Sequence, residues 1–200
     1  MLTGGLRYGP PSERILASTH VIFGFGNDME LRYFDQKKMG MVYYLREDQI
    51  SQTPRVEEQG PDVLDEPLTE PEFRQALKPF RGEIKGILTR GRLVSGVGNA
   101  YADEILHSAG IFPFKKRNRL SDEELARLHK AVYEVPLEAL EKLRESVGNA
   151  IHKKDRSFLK VHRRGGKPCP DCRYEITAIT ANKRETNFCR KCQPGLMIRN

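Results

Sequence analysis

The spacing of hydrophobic and polar residues changes along the chain, from a strand-like pattern near its start to a helical pattern further on. Between His20 and Leu45, the segments HVIFGF, MELRYFD and MGMVYYL are rich in β-branched and aromatic residues, which predicts strands. Two or three strands do not close a core alone. We therefore expect residues 1–48 to be the remnant of a larger sheet whose other strands lie upstream.

Residues 49–68 interrupt this pattern. Pro54, Pro61 and Pro67 fall in a stretch with many acidic residues and little periodicity, which predicts an interdomain linker. From residue 69 to about residue 165 the pattern is helical. Thr69 with Pro71 predicts the start of one helix, and a second helix is expected over residues 83–90.

Two further helices have recognisable end signals. The segment YADEILHSAG places its apolar residues on one face, and Gly110 predicts its end. Ser121 with Glu124 forms a capping box before a longer helix, whose apolar residues recur mostly at spacings of three and four. Pro136 lies inside this longer helix and predicts a kink or a break there.

All four cysteines of the chain lie in its last 32 residues, as the Cys-x-x-Cys pairs Cys169/Cys172 and Cys189/Cys192. The 16 residues between the pairs are enough for a hairpin that brings both pairs to one tetrahedral metal ion. Disulfides are the alternative, but they need an oxidising compartment, and the start MLTGGLRYGP has no apolar signal-peptide core. We therefore expect residues 166–196 to form a zinc-finger hairpin around one structural Zn²⁺.

The basic charge is concentrated at the same end of the chain. Residues 151–200 contain 13 Lys and Arg against 4 Asp and Glu, whereas the first 150 residues contain 21 against 23. A basic module of this kind fits a polyanion partner such as nucleic acid, although it could also serve solubility alone. Without a targeting segment or an apolar run long enough to span a membrane, we expect a cytoplasmic protein with no membrane partner.

The segment SGVGNAYADE is a candidate anion site. Two glycines one residue apart allow a positive φ and a close backbone approach, and the N–H groups at the start of the following helix attract anions. A dinucleotide site would need a preceding strand and a third glycine. The alternative is a turn between two helices in which Asn99 acts only as a cap.

Together, the strand pair ending in DQKKMG, the acidic linker, GRLVSGVGNAYADEILHSAGIFP, the long helix and the four-cysteine ribbon with KRETNFCRKCQ resemble the formamidopyrimidine-DNA glycosylase and endonuclease VIII family. The resemblance extends from about residue 1 to Gln193. It implies an α+β fold with three parts: the remnant of an N-terminal β-sandwich domain, a helix-two-turn-helix domain over residues 69–165, and a C-terminal zinc ribbon. It also implies damaged-DNA binding and base excision repair.

The family's DNA-binding residues can be placed on this chain by the same resemblance. Asn99 and Arg184 match the residues that clamp the phosphates around the lesion, and Arg92 matches a basic position near the DNA. Leu2, Lys37 and Met39 match side chains that enter the duplex where the damaged base has left, and an apolar wedge with a cation suits that task. The implied partner is double-stranded damaged DNA, bound by a monomer. The open edge of the truncated sheet could also support self-association.

The family's catalytic residues have no match here. Its members use an N-terminal proline followed by glutamate, and the proline amine forms a Schiff base with the sugar before the strand is nicked. An internal proline has no amine to offer, and the histidines, His162 among them, show no triad-like partner in the sequence. We assign no catalytic residue and leave open whether the chain is an enzyme.

Three functions therefore remain open. The chain is part of a bifunctional glycosylase and AP lyase, a non-catalytic zinc-dependent DNA-binding module, or a ribbon that serves protein contacts. Within the first, residues 147–159 leave little room for the loop that covers an oxidised purine, and Lys37 and Met39 replace the usual arginine and phenylalanine. An endonuclease VIII-like lesion preference is therefore the alternative to a preference for 8-oxoguanine.

Overall fold

The structure, a computed structural model, describes residues 4–181 and 184–195. These residues fall into two compact units. One unit lies within Met1–Thr53 and Leu140–Phe158, and the other within Pro54–Ala139 and Leu159–Asn200. None of the described helices has the length and apolar character that a membrane span requires.

The first unit contains a three-stranded antiparallel sheet in the order β1-β3-β2. Its strands are β1 (Gly4–Gly9), β2 (Thr19–Phe25) and β3 (Met29–Asp35). The strands predicted from HVIFGF and MELRYFD are confirmed, whereas β1 was not predicted. Ile22, Phe23 and Phe25 of β2 remain 42–48% exposed, so this sheet leaves much apolar surface uncovered within the described residues.

The strand predicted for MGMVYYL is wrong, because residues 39–45 have no regular secondary structure. Asp35, at the end of β3, gives the physical reason. Its buried carboxylate accepts hydrogen bonds from the backbone N–H of Met39 and Gly40, both at 2.9 Å, and from that of Lys37 at 3.1 Å. The chain therefore turns at this point, and two backbone donors of the segment are already in use.

The helices are α1 (Glu70–Leu77), α2 (Ile84–Leu88), α3 (Asn99–Ser108) and α4 (Asp122–Val147), with 3₁₀ turns at Glu47–Gln52 and Arg117–Arg119. The predicted starts of α1 and α4 are confirmed, since both capping boxes form. Gly110 follows α3 with a φ of +66°, as its predicted role as a stop requires. Of the kink or break predicted at Pro136, the break is wrong, because α4 continues through this residue. The kink stays a prediction.

The helices of the second unit enclose an apolar core. Phe73, Leu88, Ile105 and Leu128, from four different helices, are fully buried in it. Val63, from the segment predicted as a linker, is also part of this core at 3% exposure. The domain boundaries expected at residues 48, 68 and 165 stay predictions.

A β-hairpin completes the second unit. Its strands, β4 (Ile176–Ala181) and β5 (Arg184–Cys189), pair antiparallel. β5 lies against α3 and is buried from Thr186 to Cys189. The start of α3 and the start of β5 are thereby brought together.

Candidate nucleic-acid interface and metal site

The start of α3 is fixed by the turn before it. Ser95 donates its backbone N–H to the carbonyl of Pro61 at 2.8 Å, and Gly96 adopts a left-handed conformation with a φ of +85°. Gly98, the second glycine expected to allow a positive φ, instead has a φ of −96° and forms the N-cap of α3. Asn99 is therefore the first residue of the helix, and its side chain takes no part in capping.

Asn99 and Arg184, the two predicted phosphate ligands, lie beside one cavity. The Asn99 Nδ2 donates a hydrogen bond to the backbone carbonyl of Glu185 at 2.8 Å, which ties Asn99 to the residue after Arg184. The other residues that line the cavity are Glu83, Lys85, Gly86, Thr89, Phe114 and Thr186. An amide nitrogen carries a second N–H, so Asn99 and the Arg184 guanidinium together offer the donors that a phosphate accepts.

Lys85 is a second cation in this cavity, and sequence reasoning missed it. Its Nζ lies 2.6 Å from Asp103 Oδ1 and donates to Thr186 Oγ1 at 2.7 Å and to the Glu185 carbonyl at 3.2 Å. Its position in the apolar segment IKGIL was a signal, because an ammonium group that is only 7% exposed needs a partner. The identity of that partner could not be read from the segment.

Asp103 is the centre of a buried polar network. Its carboxylate is fully buried and, besides Lys85, accepts a hydrogen bond from the backbone N–H of Asn187 at 3.3 Å. The Nδ1 of His162 lies 2.8 Å from Asp103 Oδ2. This pair forms only in the tertiary fold, so the sequence did not reveal it, and it contains no nucleophile that would complete a triad.

Lys85 and Arg184 bring two positive charges to the cavity, and Asp103 balances that of Lys85. Burial is the largest cause that lowers the pKa of Lys85 below its usual 10.5, and the positive charge of Arg184 adds to this effect, while Asp103 opposes it. Lys85 and Arg184 thus repel each other across the cavity. A negative group between them would relieve this repulsion and attract both cations.

Arg92 lies outside the cavity of Asn99 and Arg184. Its guanidinium forms an exposed ion pair with Glu58 at 2.5 Å and lines another cavity, together with Arg55 and Arg90. The structure therefore does not bring Arg92 into the cavity of Asn99 and Arg184. Its DNA-binding role stays a prediction.

The residues predicted to enter the duplex belong to the first unit. Lys37 and Met39 lie on the turn that Asp35 holds, and the Met39 side chain is 73% exposed. Leu2 lies outside the described residues. Lys37 and Met39 are therefore presented together on one exposed turn.

The four cysteines form one cluster. Their sulfur atoms all lie within 4.8 Å of one another, with Cys172 and Cys189 at 3.4 Å and Cys169 and Cys192 at 3.9 Å. Four sulfurs around a tetrahedral zinc ion at about 2.3 Å lie about 3.8 Å apart. A hydrogen bond from the Tyr174 backbone is the largest cause that lowers the pKa of Cys172 to about 7, whereas burial raises the pKa of Cys189 and of Cys192, so the case for a metal rests on the sulfur geometry. The donor set therefore fits a metal ion.

The two Cys-x-x-Cys turns, here called knuckles, contact the helical part of the unit through buried polar side chains. Gln193 is fully buried; its Oε1 accepts from the backbone N–H of Cys189 at 3.0 Å, and its Nε2 donates to the Ile111 carbonyl at 2.9 Å. On the other knuckle, the Cys169 sulfur lies 3.4 Å from His107 Nε2. Both halves of the cluster are thus held against α3 and the residues that follow it.

Comparison with known proteins agrees with this architecture. Residues 59–150 match the model of the formamidopyrimidine-DNA glycosylase H2TH domain. The formamidopyrimidine-DNA glycosylase of Listeria innocua is 32% identical over 197 residues, which cover 96% of this chain and 72% of that protein. The chain belongs to the formamidopyrimidine-DNA glycosylase family. The corresponding protein of Pelotomaculum thermopropionicum is 31% identical, with 96% of this chain and 71% of the relative covered.

Solved structures of the family resemble the chain over nearly its whole length. Lactococcus lactis Fpg in complex with DNA containing an abasic site is 30% identical, with a TM-score of 0.82, and the match covers 97% of this chain and 73% of that one. A structure of MutM with DNA containing carbocyclic 8-oxo-G is 29% identical, with a TM-score of 0.82 and coverage of 97% and 72%. The predicted formamidopyrimidine-DNA glycosylase family and α+β fold class are confirmed. The roles of the individual site residues stay predictions.

Proposed function

We propose that this chain binds damaged double-stranded DNA in base excision repair and grips its phosphate backbone in the cavity of Asn99, Lys85 and Arg184. One observation carries this proposal: α3 and β5 place Asn99 and Arg184 beside one cavity that also contains a buried cation. The related Lactococcus lactis and MutM structures, which hold DNA with an abasic site or an oxidised guanine, support it.

Each of the three residues has a distinct role in this proposal. Arg184 is exposed and planar, so its guanidinium can bind two phosphate oxygens at once. Asn99 adds a neutral N–H donor from a side chain that its bond to Glu185 already holds in place. Lys85 offers no new hydrogen bond, because its three N–H groups are engaged by Asp103, Thr186 and the Glu185 carbonyl; its role is to position the Glu185 carbonyl that holds Asn99.

We further propose that Cys169, Cys172, Cys189 and Cys192 hold one structural Zn²⁺. The sulfur distances and the all-thiol donor set support zinc. When bound, the ion supplies no chemistry to a reaction and instead holds the two knuckles of the hairpin together. The hairpin carries Arg184 at the start of β5, so its fold determines where that guanidinium lies.

We propose that the side chains of Lys37 and Met39 insert into the duplex at the damaged site. An exposed methionine and a neighbouring cation on a turn can fill the space that a missing or extruded base leaves in the stack. Asp35 supports this role because its carboxylate holds the turn through three backbone hydrogen bonds. With methionine and lysine at these positions, an endonuclease VIII-like lesion preference stays open beside a preference for oxidised purines.

Binding to labelled duplexes tests the proposal. Zinc-loaded chain is titrated into a duplex with a tetrahydrofuran abasic-site analogue and into the same duplex without damage, and fluorescence anisotropy is measured over a series of salt concentrations. We expect tighter binding to the damaged duplex and an affinity that falls steeply with salt, because each neutralised phosphate changes the logarithmic slope by about 0.9. Equal affinity for the two duplexes, or no dependence on salt, would refute the proposal.

A further inference from the structure

Three polar residues recur at every fourth position of α3: Asn99, Asp103 and His107. Residues four apart lie on one face of a helix, so these three form a polar stripe along it. A helix rises 1.5 Å per residue, which separates the two ends of the stripe by about 12 Å. The stripe faces the C-terminal part of the chain at each of its three positions.

Each residue of the polar stripe contacts a different part of the metal-binding region. Asn99 binds the Glu185 carbonyl at the cavity end of β5, and Asp103 binds the backbone N–H of Asn187 in the middle of that strand. His107 reaches the other end, where its Nε2 lies 3.4 Å from the sulfur of Cys169. The stripe therefore runs from the cavity to the four-cysteine cluster.

Because the polar stripe is largely buried, its contacts favour a single position of the hairpin on α3. Asp103 is fully buried and His107 is 4% exposed. A buried polar group that loses its partner is unfavourable, so any displacement of the hairpin along α3 would destabilise the protein. Metals bind cysteine as the thiolate, which has no proton to donate, so a metal-bound Cys169 sulfur accepts from the Nε2–H of His107.

We propose that the polar stripe couples the four-cysteine site to the phosphate-binding cavity, with Asp103 and His107 as the positioning residues. A metal ion that fixes Cys169 also fixes the hairpin relative to α3, and the hairpin carries Arg184 to Asn99. Coupling between two sites is reciprocal, so DNA in the cavity must hold the metal ion more tightly. This inference rests on the proposed function.

Release of Zn²⁺ tests the coupling. Full-length, zinc-loaded chain is mixed with a colorimetric chelator, and the release rate is measured with and without a saturating amount of the tetrahydrofuran duplex. The duplex stabilises the metal-bound state and not the state in which the hairpin has opened, so the coupling, typically about 5-fold or more, should slow release from the wild-type chain. In His107→Leu the two rates should become nearly equal, because the donor to the Cys169 sulfur is lost.

Two variants separate positioning from general destabilisation. His107→Gln should restore the slowing, because the Nε2 of glutamine is also an N–H donor. His129→Gln is the matched control: His129 lies on α4, bonded to the Leu68 carbonyl, and the ratio of the two rates should stay at its wild-type value. If His107→Leu does not fold, His107→Phe provides the same test, since it also lacks the N–H donor and fills the volume of the ring.

The outcomes distinguish this inference from the proposed function. If the wild-type chain does not bind the damaged duplex, the proposed function fails. If it binds the duplex but the duplex slows zinc release equally in wild type and in the folded His107→Leu or His107→Phe variant, the inference is wrong and the proposed function stands.

Discussion

Lys85 and Asp103 form a buried ion pair, with Lys85 Nζ 2.6 Å from Asp103 Oδ1, that joins α2 to α3 directly beneath the cavity of Asn99 and Arg184. Buried pairs of this kind contribute little net stability compared with apolar residues of the same size, but losing one partner is costly. The pair therefore specifies the positions of α2, α3 and β5 more than it strengthens the fold.

Removal of one member of this pair should destabilise the protein strongly. Lys85→Met leaves the Asp103 carboxylate buried without its cation, which should lower the free energy of unfolding by about 3–5 kcal/mol. The double variant Lys85→Met/Asp103→Leu should recover part of this loss. Denaturant unfolding measures both. Lys130→Met is the control, because its exposed pair with Glu134 should contribute at most about 0.5 kcal/mol. A loss in Lys85→Met no larger than in this control would contradict the account.

Stability should also depend on pH through Lys85. Its pKa is lowered in the folded state, mainly by burial, so the unfolded chain binds more protons between that lowered value and 10.5. The free energy of unfolding of the wild type should therefore rise relative to that of Lys85→Met as the pH increases through this window. Parallel pH profiles for the two proteins would show that the Lys85 pKa is not lowered.

Metal removal should open the hairpin. Because binding of a structural zinc ion contributes to folding, a strong chelator should expose β4 and β5 to protease and abolish binding to the damaged duplex. Added Zn²⁺ should restore both properties. Unchanged protease sensitivity and unchanged DNA affinity after verified metal loss would contradict the zinc assignment.

Lys85 should not act as a nucleophile, although it is an amine at the proposed DNA interface. Its Nζ is held by Asp103, Thr186 and the Glu185 carbonyl, so it is not free to reach a sugar carbon. Borohydride trapping on an abasic-site duplex should therefore give the same result for the wild type and for a folded Lys85→Met preparation. A covalent band that forms with the wild type and disappears in the variant would contradict this prediction.

Local patterns in the sequence predicted much of the fold and part of the site. The Thr69 and Ser121 capping boxes act within one helical turn, so they could be read directly from the sequence. The same holds for the two Cys-x-x-Cys pairs, whose spacing already implies a cluster. The cluster of four cysteines needed only this spacing, whereas Asn99 and Arg184 were assigned a shared role only by the family resemblance.

The remaining features depend on contacts between distant residues. The partner of Lys85 is one helix away, that of His162 lies on α3, and neither could be inferred from local spacing. The strand predicted over residues 39–45 was wrong because one buried carboxylate, that of Asp35, takes up nearby backbone donors. Single buried polar groups of this kind override propensity, and a pattern of hydrophobic residues does not reveal them.

The most direct test of the central claim compares two arginines on the same hairpin. Arg184 lines the cavity, whereas Arg190 is exposed beyond β5 and its Nε donates to Thr177 Oγ1 at 3.2 Å. Both variants, Arg184→Ala and Arg190→Ala, lose one positive charge. The account predicts that Arg184→Ala weakens binding to the tetrahydrofuran duplex by about 1–3 kcal/mol, the range for charge-assisted bonds, and that Arg190→Ala has a much smaller effect. Equal losses for the two variants, or no loss for Arg184→Ala, would show that the cavity is not where the chain grips DNA.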